Sequence, residues 1–172
     1  MKKILALVLS LTAISGICAA VLAYVNSITA QPIAEMRVKQ EQDAVKAVLP
    51  AGVEQIECAD GYFIGKNSSG KVLGFAAKGS DAGGYGGDIV LMVGFEADRK
   101  TVVRYKTLVA TETPGLGMKL NTPEFAGQFC GKNGAKVSLK KKGGEIEAIT
   151  SATITSKAVC KAVNAAQKAL GE

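Results

Sequence analysis

From Ile4 to Val25 the chain carries no charge and is dense in Leu, Ile, Val and Ala. At helical rise that run covers about 30 Å, the thickness of a bilayer core. The pattern therefore predicts a transmembrane helix at 4–25, preceded by Lys2 and Lys3. A cleavable signal peptide is the alternative, with Val21-Leu22-Ala23 an acceptable cleavage site. Signal h-regions run only about 7–15 residues, however, so length favours an uncleaved anchor. Cys18 would suit a lipid-modified terminus, but Ile17 stands where a small residue is expected. The positive-inside bias puts residues 1–3 in the cytoplasm and the rest of the chain outside, giving a single pass through the cytoplasmic (inner) membrane.

The period then changes. Ile33, Met36, Val45, Val48 and Leu49 recur near helical spacing among Glu, Arg, Lys and Gln, which predicts an amphipathic helix from Pro32 to about Val48 within a linker at 26–50. Pro50-Ala51-Gly52 stops it. Short β-rich runs follow at Val53–Cys58, Tyr62–Ile64, Val72–Ala76, Ile89–Phe95 and Thr101–Leu108, with turns at Asn67–Gly70 and Asp98–Lys100. Between two of these runs, Gly79–Gly87 holds five glycines and Tyr85 and reads as a loop. Thr122-Pro123-Glu124 opens a short helix to Phe129. Val137–Ile149 reads as a hairpin around Gly143-Gly144, and Val159, Val163, Ala166 and Leu170 mark a final helix at about 156–170. These elements predict an α+β fold: one N-terminal transmembrane helix, then an antiparallel-sheet domain at 51–172 with flanking helices.

Composition narrows the chemistry. The chain has no histidine, which excludes Ser-His-Asp triads and His-built zinc sites. Its four cysteines show no CxxC spacing, and Cys18 sits in the apolar run, so Cys58, Cys130 and Cys160 allow at most one pair. Net charge is +6. The densest basic cluster, Lys140–Lys142, suits a solvated turn better than nucleic acid, which is not expected as a partner.

Two segments invite a ligand. Thr150, Ser151, Ala152, Thr153, Ile154 and Thr155 lead into the last helix, where unpaired N–H groups and the helix dipole favour phosphate. Helix capping by the same hydroxyls is the competing reading. Upstream, Glu112-Thr113-Pro114-Gly115-Leu116-Gly117 is a specified turn with exposed N–H groups, since Pro fixes one φ and the glycines permit positive φ; a plain loop could use the same residues.

Gly84-Tyr85-Gly86-Gly87, the Glu112–Gly117 turn and the Glu147–Thr153 segment together resemble the FMN-binding domain family. That family includes the G subunit of the Rnf electron-transport complex and the C subunit of the sodium-pumping NADH:quinone reductase. The resemblance covers nearly the whole chain, and its length and single anchor are closer to the Rnf protein. It implies a covalent FMN joined by phosphoester to Thr153, with Thr150 at the preceding hydroxyl position of the motif. Ser151, Ala152 and Thr155, with Glu112, Thr113, Gly115, Leu116 and Gly117, are the other cofactor-binding residues it implies, with no catalytic residue and no metal. It also implies a separate flavin transferase, other membrane subunits as partners, and an FMN domain on the outer (periplasmic) side of the membrane. Three positions depart from the family: Glu147 replaces Asp, Ser151 replaces Gly, and Ala110 replaces His. A positive φ at Ser151 would strain the serine by about 1 kcal/mol or more.

The resulting expectation is a membrane-anchored flavoprotein subunit that relays electrons in an ion-translocating ferredoxin:NAD oxidoreductase. The alternatives are an FMN carrier of another extracytoplasmic pathway and a non-redox anchored binding module.

Overall fold

The computed structural model describes residues 2–171. Met1, from the expected cytoplasmic segment, and Glu172, from the expected domain, lie outside the described residues. The chain forms two compact units, Met1–Gln40 and Glu41–Glu172.

Helix α1 runs Lys2–Val48 and passes through Pro32 without a break in assignment. The elements expected at 4–25 and 32–48 are thus parts of one backbone helix. Ser27 and Thr29 return their hydroxyls to the Tyr24 and Val25 carbonyls, so these polar residues sit inside the helix rather than ending it. In the first unit Leu5, Leu9, Leu11, Ile14 and Leu22 are all exposed. The most apolar 18-residue window of α1 has a mean hydropathy of 2.5, long and apolar enough to cross a membrane. A helix apolar all round is matched to lipid.

In the second unit five strands form an antiparallel meander in the order β1-β2-β3-β4-β5. They are β1 Gln55–Ala59, β2 Tyr62–Lys66, β3 Val72–Asp81, β4 Ile89–Glu96 and β5 Val102–Val109. One face receives the end of α1: Ala44, Val45 and Val48 pack with Leu49 on Ala76 and Met92. The other receives helix α3, Thr153–Ala169, whose Val159, Ala162, Val163 and Ala166 share a core with Phe75, Ala77, Leu91, Val93 and Phe95. Covered on both sides, β4 is buried continuously from Leu91 to Phe95, which explains its unbroken apolar run.

Both helices lie against glycine. A Cβ on Gly79 would come 2.0 Å from the Ala162 carbonyl oxygen, and one on Gly94 would come 1.9 Å from that of Val48. Gly79 therefore belongs to β3, not to the loop expected at 79–87, and the strand extends to Asp81.

The hairpin expected at 137–149 does not form. The segment makes 3₁₀ turns at Gly134–Lys136 and Lys140–Lys142, with Gly143 left-handed at φ 80°. A lone parallel bridge joins Leu139 to Ile146. Val137, Leu139, Ile146 and Ile149 are buried, so their spacing records anchoring to the core rather than a ladder. The short helix α2, Pro123–Ala126, runs on into a 3₁₀ turn at Gly127–Phe129.

The β4–β5 turn is fixed from two sides. Asp98 accepts from the Lys100 and Thr101 backbone N–H groups and from the Thr101 hydroxyl. Arg99, at φ 59°, lays its guanidinium 4.5 Å from the Phe75 ring centroid and donates to the Leu170 carbonyl at 3.2 Å, closing the end of α3. The cysteines are unpaired, and burial pushes the Cys160 thiol up to about 12, an inert core side chain.

Candidate functional site

The site is assembled around Glu112, which is 7% exposed. Its Oε1 accepts from the backbone N–H of Tyr85 at 2.9 Å and of Gly86 at 3.4 Å. Its Oε2 accepts from the Thr155 hydroxyl at 2.9 Å. All three partners are donors, which suits a carboxylate. No cation pairs with Glu112 among the described residues. One side chain thus ties the glycine loop, the turn after β5 and the first turn of α3.

Glycine makes this convergence possible. A Cβ on Gly84 would lie 2.8 Å from Glu112 Oε1 and one on Gly117 2.5 Å from Oε2. On Gly86 it would lie 1.5 Å from the Thr111 carbonyl oxygen. Gly84 and Gly117 are thus required by close packing on the Glu112 carboxylate and Gly86 by packing on the Thr111 carbonyl, whereas Gly87 and Gly115 are required by positive φ.

The Glu112–Gly117 segment makes the turn its sequence specifies. Pro114 precedes Gly115 at φ 75°, and the Leu116 N–H bonds the Thr113 carbonyl, the type II signature. The Met118 N–H bonds that same carbonyl. These two donors are spent inside the turn rather than offered to a ligand.

Opposite the turn, α3 begins at Thr153, three residues before the expected start. Ala152 is its N-cap residue, and no side chain caps it. Thr155 is turned to Glu112. Ser156 accepts from the Ile149 N–H at 2.9 Å and donates to the Ala152 carbonyl at 2.8 Å. Neither residue caps the helix: both lie inside its first turns, with the Thr155 hydroxyl on Glu112 and the Ser156 hydroxyl on Ala152 and Ile149. Thr153 and Ile154, the first two residues of α3, are exposed. Just before them, Ser151 adopts φ 63°, the conformation for which glycine is the least strained choice.

Between the turn and the helix start lies an open cleft of ≈520 Å³, a size suited to a cofactor. Glu112, Thr113, Leu116 and Gly117 line one side, and Ser151, Ala152, Thr153 and Thr155 the other. Thr150 faces elsewhere: it lines hollows of ≈290 and ≈350 Å³ on the far side of its segment. Gly115 shapes the turn without lining the cleft. Tyr85 and Ile154 complete the lining; both lie in segments singled out from the sequence, but neither is among the cofactor-binding residues expected there. A tyrosine set between glycines was the available signal.

Thr153 borders both the cleft and the ≈350 Å³ hollow, which Lys140 and Lys141 also line. The segment leading to Thr153 is held from α2's side, where Gln128 Oε1 accepts from the Glu147 N–H at 2.7 Å and Nε2 donates to its carbonyl at 3.4 Å. Lys140 reaches Glu147 at 3.4 Å; both are exposed, so the pair adds little stability.

These features describe a membrane-anchored α+β domain that presents a ligand cleft at the start of its last helix. The family described as FMN-binding domain matches residues 84–168, the stretch from the glycine loop through α3. The G subunit of the ion-translocating oxidoreductase complex of Methanosarcina acetivorans is 35% identical over 96% of this chain and 93% of its own. The G subunit of the Na(+)-translocating ferredoxin:NAD(+) oxidoreductase complex of Acetobacterium woodii is 34% identical over 95% and 89%. Among solved structures, the C subunit of the Na(+)-translocating NADH-quinone reductase from Parabacteroides distasonis aligns with TM-score 0.52 and 25% identity. That alignment takes in 64% of this chain and 62% of the other. The chain belongs to the FMN-binding domain family, among the G subunits of ion-translocating oxidoreductase complexes.

Proposed function

We propose that this chain is the FMN-bearing, membrane-anchored G subunit of an Rnf-type ion-translocating ferredoxin:NAD oxidoreductase, and that it carries FMN as a phosphoester on Thr153. The observation that carries the reading is the position of Thr153. Its side chain is exposed at the first position of α3, on the rim of a cofactor-sized cleft whose opposite wall is the Glu112–Gly117 turn.

The residues present fit the group. Leu116, Ala152 and Ile154 offer apolar surface to a flat ring, while Thr153 offers an oxygen beside the positive end of a 17-residue helix. When bound, FMN supplies reversible electron acceptance through its ring system. Glu112 and Thr155 hold the two walls of the cleft together, and Ser156 pins the segment before Thr153 to α3. Lys157, exposed on the first turns of α3, adds positive charge near the phosphate end. The chain offers the threonine hydroxyl no histidine base, so attachment falls to a separate flavin transferase. The segment from Glu147 to Thr150, held by Gln128, is what that enzyme would read.

Under this reading the apolar helix spans the cytoplasmic membrane at 4–25, residues 1–3 lie inside, and a linker at 26–50 leads to an FMN domain at 51–172 on the outer side. The other membrane subunits of the complex are its partners. Co-purification with them separates this assignment from an FMN carrier of another pathway.

The test of the site is direct. The protein is made together with a flavin transferase and run on a denaturing gel. Flavin fluorescence should stay on the band and vanish in Thr153→Ala. Emission retained in Thr153→Ala but lost in Thr155→Ala would move the attachment by two residues. A dark wild-type band would overturn the covalent reading.

A further inference from the structure

The second unit displays one large aromatic side chain to solvent. Its phenylalanines are buried or packed against the cores, as are Tyr62 and Tyr105. Tyr85 is 72% exposed. Such exposure on a loose loop tip would mean little, but this loop is not loose. Gly84 and Gly86 lie too close to neighbouring backbone and to Glu112 to admit side chains, and the Tyr85 N–H is bonded to Glu112. At the loop's base, the Gly83 N–H bonds Asp81, which Lys161 of α3 holds at 3.2 Å. The chain therefore fixes the backbone of an aromatic residue while leaving its ring uncovered. That ring lines the same cleft as Thr153, with Leu116 and Ile154 as its other large apolar members.

We infer that Tyr85 is the aromatic platform on which the isoalloxazine ring of FMN rests, a contact that rests on the Thr153 reading above. The physical case is one of unmatched surface. An exposed tyrosine ring and two exposed aliphatic side chains, Leu116 and Ile154, present apolar area to water, and a flat heteroaromatic ligand removes that area while stacking on the ring. The fixed backbone reduces the ordering that binding must impose. The shared carboxylate has a second consequence: Tyr85 and the first turn of α3 are both held by Glu112, so platform and attachment residue keep a set relation.

The proposal has an optical readout. A phenol in contact with an excited flavin quenches its emission by donating an electron, and a phenylalanine in the same place does not. Full-length wild type, Tyr85→Phe and Tyr85→Ala are each loaded with FMN by a flavin transferase. Tyr24→Phe, in the anchor helix, serves as the control. Covalent flavin is measured on a denaturing gel and emission lifetime on the native protein in detergent. With equal loading, wild type and the control should be strongly quenched, and Tyr85→Phe should lengthen the dominant lifetime several-fold. Tyr85→Ala should do the same and also increase quenching by added iodide, because the ring is uncovered. Loaded Tyr85→Phe with the wild-type lifetime would overturn the platform while leaving the Thr153 attachment intact. A wild-type chain that takes no covalent flavin would overturn the attachment, and the platform with it.

Discussion

Removing the Glu112 carboxylate should loosen the cleft and the domain together, and the size of the effect follows from its contacts. Glu112 sits 7% exposed without a cation, so its own desolvation opposes folding, and an apolar replacement can recover part of that cost. Against this stand three accepted hydrogen bonds, one of them from Thr155, which is 1% exposed. Hydrogen bonds to a charged group contribute about 1.5–3 kcal/mol each, and a buried donor left unpaired costs about 1–3 kcal/mol. The donors remain after Glu112→Ala and only the loop N–H groups can turn to water, so the loss should prevail at about 3–5 kcal/mol. Glu112→Gln keeps an acceptor for Tyr85 and Gly86 and can donate to the Thr155 oxygen. It forfeits only the charge, about 1–2 kcal/mol. For a domain of this size about 4 °C of melting temperature corresponds to 1 kcal/mol. Thermal melts of the full chain in detergent, followed by near-ultraviolet dichroism of the tyrosines, should place Ala some 12–20 °C and Gln some 4–8 °C below wild type on that scale. Thr155→Val should combine non-additively with Glu112→Gln, since the two share one bond. Strict additivity, or Glu112→Ala within about 2 °C of wild type, would refute the claim that this carboxylate joins the three segments.

Two further outcomes test the backbone. Ser151→Gly removes the strain of φ 63° at the cost of a freer unfolded chain, and should raise stability by about 0.5–1 kcal/mol, read from the same melts; Ser151→Val should lower it. Burial raises the Asp98 carboxyl, but its bonds with Thr101 and Lys100 outweigh that and leave it below its ordinary value. Its contribution is therefore fully present above the unfolded-state value and is lost as pH falls through the lower folded one. Asp98→Asn should flatten the acid limb of the stability profile below about pH 4, and an unchanged limb would contradict the sign.

What the chain displays in sequence and what it hides divide along physical lines. The strands were legible because apolar residues cover both sheet faces, and the turn at Thr113–Leu116 because Pro and Gly admit few alternatives there. Ser151 is the sharpest case. A serine standing in the family's glycine position would be strained if φ were positive there, and the backbone has φ 63°. The misread hairpin at 137–149 had genuine apolar spacing, yet Val137, Leu139 and Ile146 use it to reach the core, with a single parallel bridge between Leu139 and Ile146 in place of an antiparallel ladder. The start of α3 was misplaced because capping statistics assume a hydroxyl serves its own helix. Thr155 serves Glu112, a partner set by tertiary structure, and Ser156 ties the Ile149 N–H to the Ala152 carbonyl. Tyr85 was visible as a residue but not as a cleft wall, since only the fold brings residue 85 to residue 153.

The contact of Gly79 with Ala162 has a consequence for electron traffic. At Gly79 the helix rests directly on the strand, since an added Cβ there would lie 2.0 Å from the Ala162 carbonyl oxygen and 2.8 Å from the Ala166 Cβ, and this close seat together with the shared apolar core holds α3 in place. Thr153 begins that helix. A redox group attached there would inherit the helix's immobility at its tethered end. Tunnelling rates decay exponentially with separation, so an unyielding mount converts protein architecture into a fixed distance and lets each transfer proceed at a reproducible rate. In that sense two residues without bulk set the gauge of the relay.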